Sequence, residues 1–129
     1  MSNIIYEDSL IKVEVEPFEI PWIKIFTQEP IKELSLCNDK LRLYLFDTIN
    51  IIEKIMLTQL NPDKINISSF GNYVPHVHFH VQARYKNDSY FPEPTWGKKQ
   101  REMNFEIKHI EELYSKITNQ LKERKNIDK

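Results

Sequence analysis

The sequence predicts a mixed fold of strands and helices, and three observations predict it. Residues 10–16 and 22–26 carry the branched apolar and charged alternation of half-solvated strands, residues 35–59 hold apolar side chains at helical spacing, and residues 64–70 and 76–81 alternate again. At 129 residues the chain has the size of one ordinary domain and can bury a real core. A single domain over residues 1–129 is therefore expected.

Taken in order, Leu10-Ile11-Lys12-Val13-Glu14-Val15-Glu16 reads as the first clear strand and ends at Pro17. After Pro21, Trp22-Ile23-Lys24-Ile25-Phe26 reads as a second, and the short separation predicts an antiparallel hairpin. Leu41, Leu43, Leu45, Phe46, Ile49, Ile52 and Ile55 then fall near one helical stripe, with Ser35 placed to cap its start. Asn61-Pro62 breaks that helix. Residues 64–70 alternate up to a turn at Gly71-Asn72, which leads into a histidine-rich strand. Residues 85–97 form a proline-rich, aromatic stretch without a clean period, expected to be an ordered loop because flexible linkers are poor in aromatics. A C-terminal helix is expected at about residues 104–125, with Phe105, Ile110, Leu113, Tyr114, Ile117 and Leu121 on or near one side.

Composition excludes several function classes. The formal net charge is −1, which gives no broad electrostatic attraction for a nucleic-acid duplex or an anionic membrane. No run is long enough to span a bilayer, and the N-terminal residues lack the pattern of a secretory signal, so a cytoplasmic location is expected. The one cysteine, Cys37, can form no internal disulfide and reads as a small apolar residue. Two glycines, Gly71 and Gly97, are too few for the glycine-rich phosphate loops of P-loop and Rossmann proteins.

The chemistry concentrates in His76-Val77-His78-Phe79-His80-Val81, which holds three of the four histidines. On a strand the three imidazoles share one face, roughly 6.5 Å apart, while Val77, Phe79 and Val81 face a covering helix. An imidazole with an ordinary pKa of about 6.5 can serve as neutral nucleophile beside a proton-donating neighbour. Its attack on phosphorus would give a phospho-histidine intermediate, with the second ring nitrogen held in one tautomer by a backbone carbonyl. Two imidazoles from a strand can also bind zinc with a third ligand, although no such ligand stands out. A structural origin is the third possibility, set against the cost of placing polar rings on an apolar strand.

This motif resembles the signature of the histidine triad superfamily of nucleotide hydrolases and transferases. Further residues carry the resemblance: Ile5-Tyr6-Glu7-Asp8-Ser9, Glu16, Asn66 and Gly71-Asn72 before the histidines, and Ala83-Arg84, Asp88, Phe91-Pro92, Pro94 and Trp96-Gly97 after them. It covers residues 4–97, the expected core, and the residues after the histidines resemble a bacterial branch of small single-domain members. It implies an α+β fold with a five-stranded antiparallel sheet and one main helix, paired as a homodimer. It also implies attack by His78 at the α-phosphate of a nucleotide, with nucleotidylation of that histidine before water or another acceptor releases the nucleoside monophosphate. His80 would bind phosphate or assist the leaving group, and His76 would support the network. Asn66, Gly71, Asn72 and Tyr73 would contact phosphate and Glu16 the ribose, with no metal or cofactor.

The chain departs from the family pattern at three places. Many members carry a fourth histidine where this chain has Trp22-Ile23-Lys24, Gln82 takes the motif's last apolar place, and Tyr73 stands where a small hydroxyl residue is frequent. These departures keep a nucleotide-binding protein without useful turnover as the alternative, with a zinc enzyme behind it. Of the remaining residues, Asn87-Asp88 reads as a turn, Trp96 as an interface anchor in preference to a ring stacked on a nucleobase, His109 as a solvated helix residue, and Lys98, Lys99 and Arg101 as a small basic patch.

Overall fold

The computed structural model describes residues 3–124. Five strands form one antiparallel sheet: β1 (Ile4–Glu7), β2 (Ile11–Val15), β3 (Trp22–Thr27), β4 (Lys64–Ser68) and β5 (His78–Arg84), in the order β1-β2-β3-β5-β4. Two helices, α1 (Asp39–Leu60) and α2 (Ile110–Glu123), complete the α+β fold. The expected β2–β3 hairpin is present, with Ile11 opposite Thr27 and Val15 opposite Ile23.

Strand parity divides the sheet. Ile11 and Val13 of β2, Ile23 and Ile25 of β3, and Phe79, Val81 and Ala83 of β5 are buried in the core cluster. Leu41, Leu45, Ile49, Ile52 and Met56 of α1 cover them, joined by Leu113, Ile117 and Leu121 of α2. The intervening positions, among them Trp22, Lys24, Phe26, His78 and His80, make up the other face. No helix among the described residues is long and apolar enough to cross a membrane.

Both helices start later than the sequence suggests. Ser35 lies in a short 3₁₀ turn (Leu34–Leu36), and α1 is capped instead by Asn38, whose side chain accepts from the Leu41 N–H at 2.8 Å. Leu43 and Phe46 are largely exposed because they lie off the stripe running from Leu41 through Leu45 to Ile49 and Ile52. At the other end Asn61 adopts a left-handed conformation (φ 47°) and its N–H reaches the Leu57 carbonyl, a stop that Pro62 reinforces. In the C-terminal segment His109 is left-handed (φ 62°), so no helix runs through it from residue 104. Phe105 meets the Tyr85 ring in the preceding loop instead. The expected end at Lys125 lies outside the described residues.

Residues 85–101 have no regular structure but are tightly tied. Arg84 and Asp88, each 1% exposed, form an ion pair through Nε (2.9 Å) and Nη2 (3.1 Å). Asp88 also accepts from the backbone N–H groups of Tyr85, Tyr90 and Phe91, so its turn is anchored to the sheet. Arg101 closes the loop by donating to the carbonyls of Asp88 and Phe91. Of the expected basic patch, then, Arg101 is structural, and Lys99 pairs with Glu102.

Candidate active site

The histidine face forms the floor of a cleft of about 510 Å³, lined by β3, β5, the loop through Phe70-Gly71-Asn72-Tyr73-Val74, and Trp96. Gly71 is left-handed (φ +77°), the conformation glycine adopts most readily, and this turns the chain over the cleft. The anchored loop after β5 brings Trp96 to the opposite wall, where its ring lies 4.7 Å from Phe70, 4.9 Å from His80 and 5.2 Å from Trp22. Trp96, read from sequence as an interface anchor, therefore lines the cleft.

His78 and His80 are buried to within 8% and 7% of full cover, with ring centroids 5.0 Å apart. The His78 ring stacks on Phe26 at 4.8 Å. Its Nδ1–H donates to the His76 carbonyl at 2.7 Å, because only the protonated nitrogen can face a carbonyl oxygen. That tautomer leaves Nε2 with a free electron pair. His80 is oriented oppositely: its Nδ1 accepts from the Trp22 indole N–H at 2.9 Å, which puts the ring proton on Nε2. Burial, then the nearby His78 and Lys24, push the His80 pKa down to about 4, with Glu16 pulling the other way.

His76 is not on the strand. Pro75 offers no N–H for a sheet ladder, the His76 N–H goes to the Val74 carbonyl, and β5 begins only at His78. The His76 ring turns to Thr27, its Nε2–H donating to the carbonyl oxygen at 2.6 Å and lying 2.9 Å from Oγ1. Its backbone carbonyl, rather than its imidazole, is what touches His78.

Glu16, Gly71, Asn72 and Tyr73 all line the cleft, and Glu16 holds Lys24 at 2.8 Å. Asn66 does not. Its Oδ1 accepts from Arg84 at 2.7 Å, and it lines a neighbouring cavity of about 460 Å³ that shares the Phe70 and Trp96 wall. Gln82 is 1% exposed and donates to Thr95 Oγ1 at 2.8 Å, so the polar residue in the motif's last place binds the Trp96 loop. Sequence reasoning missed Trp22, Thr27 and Phe70 as parts of the site. Strand parity within β3, which puts Trp22, Lys24 and Phe26 on the face opposite Ile23 and Ile25, could have placed the first on the polar side of the sheet but not against His80. Among the described residues no three His, Cys, Asp or Glu side chains are grouped to hold a metal ion.

The family model of the HIT domain matches residues 1–87. The chain belongs to the HIT domain family. Membership supports a nucleotide-binding or hydrolase-type function in general. Among solved structures, this HIT domain is similar to a histidine triad protein of Bradyrhizobium japonicum, with 24% identity, 92% of this chain and 89% of that chain covered, and a TM-score of 0.76. A histidine triad protein of Sinorhizobium meliloti 1021 shares 26% identity over 92% of this chain and 88% of its own, at a TM-score of 0.74. One of Marinobacter aquaeolei VT8 shares 24% over 93% and 85%, at 0.71. No curated protein matches the chain.

Proposed function

We propose that this HIT domain is a metal-independent nucleotide hydrolase or nucleotidyl transferase acting at the α-phosphate through a covalent intermediate on His78. The observation that carries the reading is the 2.7 Å bond from His78 Nδ1–H to the His76 carbonyl, which leaves Nε2 as the electron-pair donor in a ring that lines the cleft. Attack forms the Nε2–P bond while the bond to the leaving group breaks. The positive charge that develops on the imidazole strengthens its hydrogen bond to the carbonyl. Water then attacks phosphorus and loses a proton to solvent, the P–N bond breaks, and the nucleoside monophosphate departs as the imidazole regains its electron pair; in a transferase another acceptor takes the place of water and leaves carrying the nucleotidyl group. The backbone and side chains of Gly71, Asn72 and Tyr73 serve the phosphate, Glu16 the ribose and His80 Nε2–H a phosphate or leaving-group oxygen. Asn66 acts indirectly, by holding Arg84.

His78→Ala and His78→Asn should abolish turnover of nucleoside phosphoramidates, dinucleoside polyphosphates and nucleotidyl sulfates alike, with unchanged circular dichroism. Full activity in either variant would sink the proposal. The same reading includes a homodimer. Supporting it, among the described residues β4 pairs only with β5 and leaves its other edge open, with Ile67 exposed there and Phe46 and Leu57 exposed on α1. Sedimentation equilibrium should return twice the chain mass, and a monomer at micromolar concentration would contradict it.

A further inference from the structure

One nitrogen of His80 is already committed. The indole Nε1–H of Trp22 donates to Nδ1 at 2.9 Å, and an indole nitrogen is a donor only. A proton on Nδ1 would set two N–H groups against each other, so the imidazolium form requires this bond to break. Trp22 is itself held in place, since its ring meets Phe18 edge-on at 5.4 Å and Trp96 at 5.2 Å, and its backbone lies in the middle of the sheet opposite Gln82.

The surroundings of His80 act in the same direction. From its own strand it faces His78 at 5.0 Å; from β3, Lys24 lies opposite in register; Glu16, just beyond β2, holds that lysine at 2.8 Å. The β4 side and the loops bring Ser68, Phe70 and Trp96, which carry no charge. The Glu16 carboxylate is thus engaged with a lysine.

From this geometry we propose that Trp22 is a positioning residue that locks His80 as a neutral Nε2–H hydrogen-bond donor, and so selects leaving groups that depart as stable anions. The proposal rests on the nucleotidyl reading above. In the first step His78 Nε2 bonds to phosphorus, the bond to the leaving group breaks, and that group departs with the electron pair. His80 donates a hydrogen bond to it and keeps its proton. An aryl oxide, a carboxylate or a sulfate can leave in this way. An alkyl amine needs a proton on nitrogen, and a neutral imidazole N–H is too weak an acid to provide it.

The test uses two derivatives of one nucleoside monophosphate, a p-nitrophenyl ester and an alkyl phosphoramidate, with wild-type protein and Trp22→Phe, alongside ¹⁵N-histidine NMR. Wild-type His80 should show the Nε2–H tautomer without titrating between about pH 5 and 8. In Trp22→Phe, Nδ1 loses its indole partner, so the Nε2–H tautomer should no longer be exclusive and His80 should protonate at a higher pH than in wild type, and the ratio of kcat/KM for amidate over aryl ester should rise at least ~10-fold near the acid end of that range. A wild-type His80 that carries its proton on Nδ1 or titrates in that range overturns the proposal without any variant. An unchanged ratio in a folded Trp22→Phe overturns the leaving-group selection. Absence of turnover on both substrates by wild-type protein, with the tautomer intact, overturns the nucleotidyl reading and that selection with it, while the NMR result upholds the tautomer lock.

Discussion

Replacing Asp88 with alanine removes the carboxylate that fastens the Trp96 loop to the sheet. Arg84 is 1% exposed and would keep Nη1 on Asn66 and Nη2 on the Glu93 carbonyl but lose both of its carboxylate bonds. The N–H groups of Tyr85, Tyr90 and Phe91 would lose their acceptor as well. Breaking a buried ion pair by deleting one partner costs ~3–5 kcal/mol, and the surviving contacts of Arg84 place the expectation near the lower end. Urea unfolding should therefore show a midpoint lowered by an amount corresponding to about 3 kcal/mol at unchanged slope. A loss below about 1 kcal/mol, the size expected for a solvated surface pair, would refute the assignment of this pair as the loop's anchor.

The same pair has a pH signature. Burial works to raise the Asp88 pKa, but the bonds from Arg84 and the three backbone N–H groups outweigh it and hold the carboxyl below its usual range. A carboxyl depressed in the folded state contributes stability above its unfolded pKa of about 3.9 and loses that contribution as pH falls through the folded value. Wild-type protein should thus lose stability on acidification below about pH 4 more steeply than Asp88→Asn, and parallel curves would contradict this.

Other expectations follow from single residues. Ile52→Ala empties a fully buried position between α1 and the sheet and should cost ~2–5 kcal/mol by chemical denaturation, with nucleotide affinity preserved in the folded fraction. Tyr44→Phe removes a hydroxyl that donates to Asp8, a carboxylate that burial would raise but that bonds from Tyr44, Tyr6 and two backbone N–H groups hold low. It should cost ~1.5–3 kcal/mol at neutral pH, the range for a hydrogen bond to a charged group, and less below the carboxyl's titration. Trp96→Ala takes away the cleft's outer wall and should weaken nucleoside monophosphate binding by ~1–3 kcal/mol in calorimetry if a base stacks there; unchanged affinity would assign Trp96 to packing alone.

Much of the fold was legible because periodicity reports burial. The hairpin of β2 and β3, the apolar stripe of α1 and the apolar back of β5 are direct consequences of which side chains must leave water. Helix starts were less legible, since Ser35 and Asn38 both suit a cap and only the 3₁₀ turn decides between them. The strand β1 is short and half exposed, so its residues carry little alternation, and it entered through family resemblance rather than pattern. At the site, strand parity correctly set His78 beside His80, yet it placed His76 on the same strand, where Pro75 and the Val74 carbonyl keep it off the ladder. The partners that fix the tautomers, the His76 carbonyl and the Trp22 indole, come from a backbone atom and from a residue 58 positions away. Neither contact leaves a local trace in sequence.

The most direct test of the account is a rapid-quench experiment in which the protein is mixed with the p-nitrophenyl ester of a nucleoside monophosphate and examined by intact and peptide mass spectrometry. An acid-labile nucleotidyl adduct should form on the peptide containing His78 and be lost in His78→Asn, while His80→Asn still permits labelling at His78. Turnover without any adduct, or an adduct on another residue, would contradict the covalent mechanism.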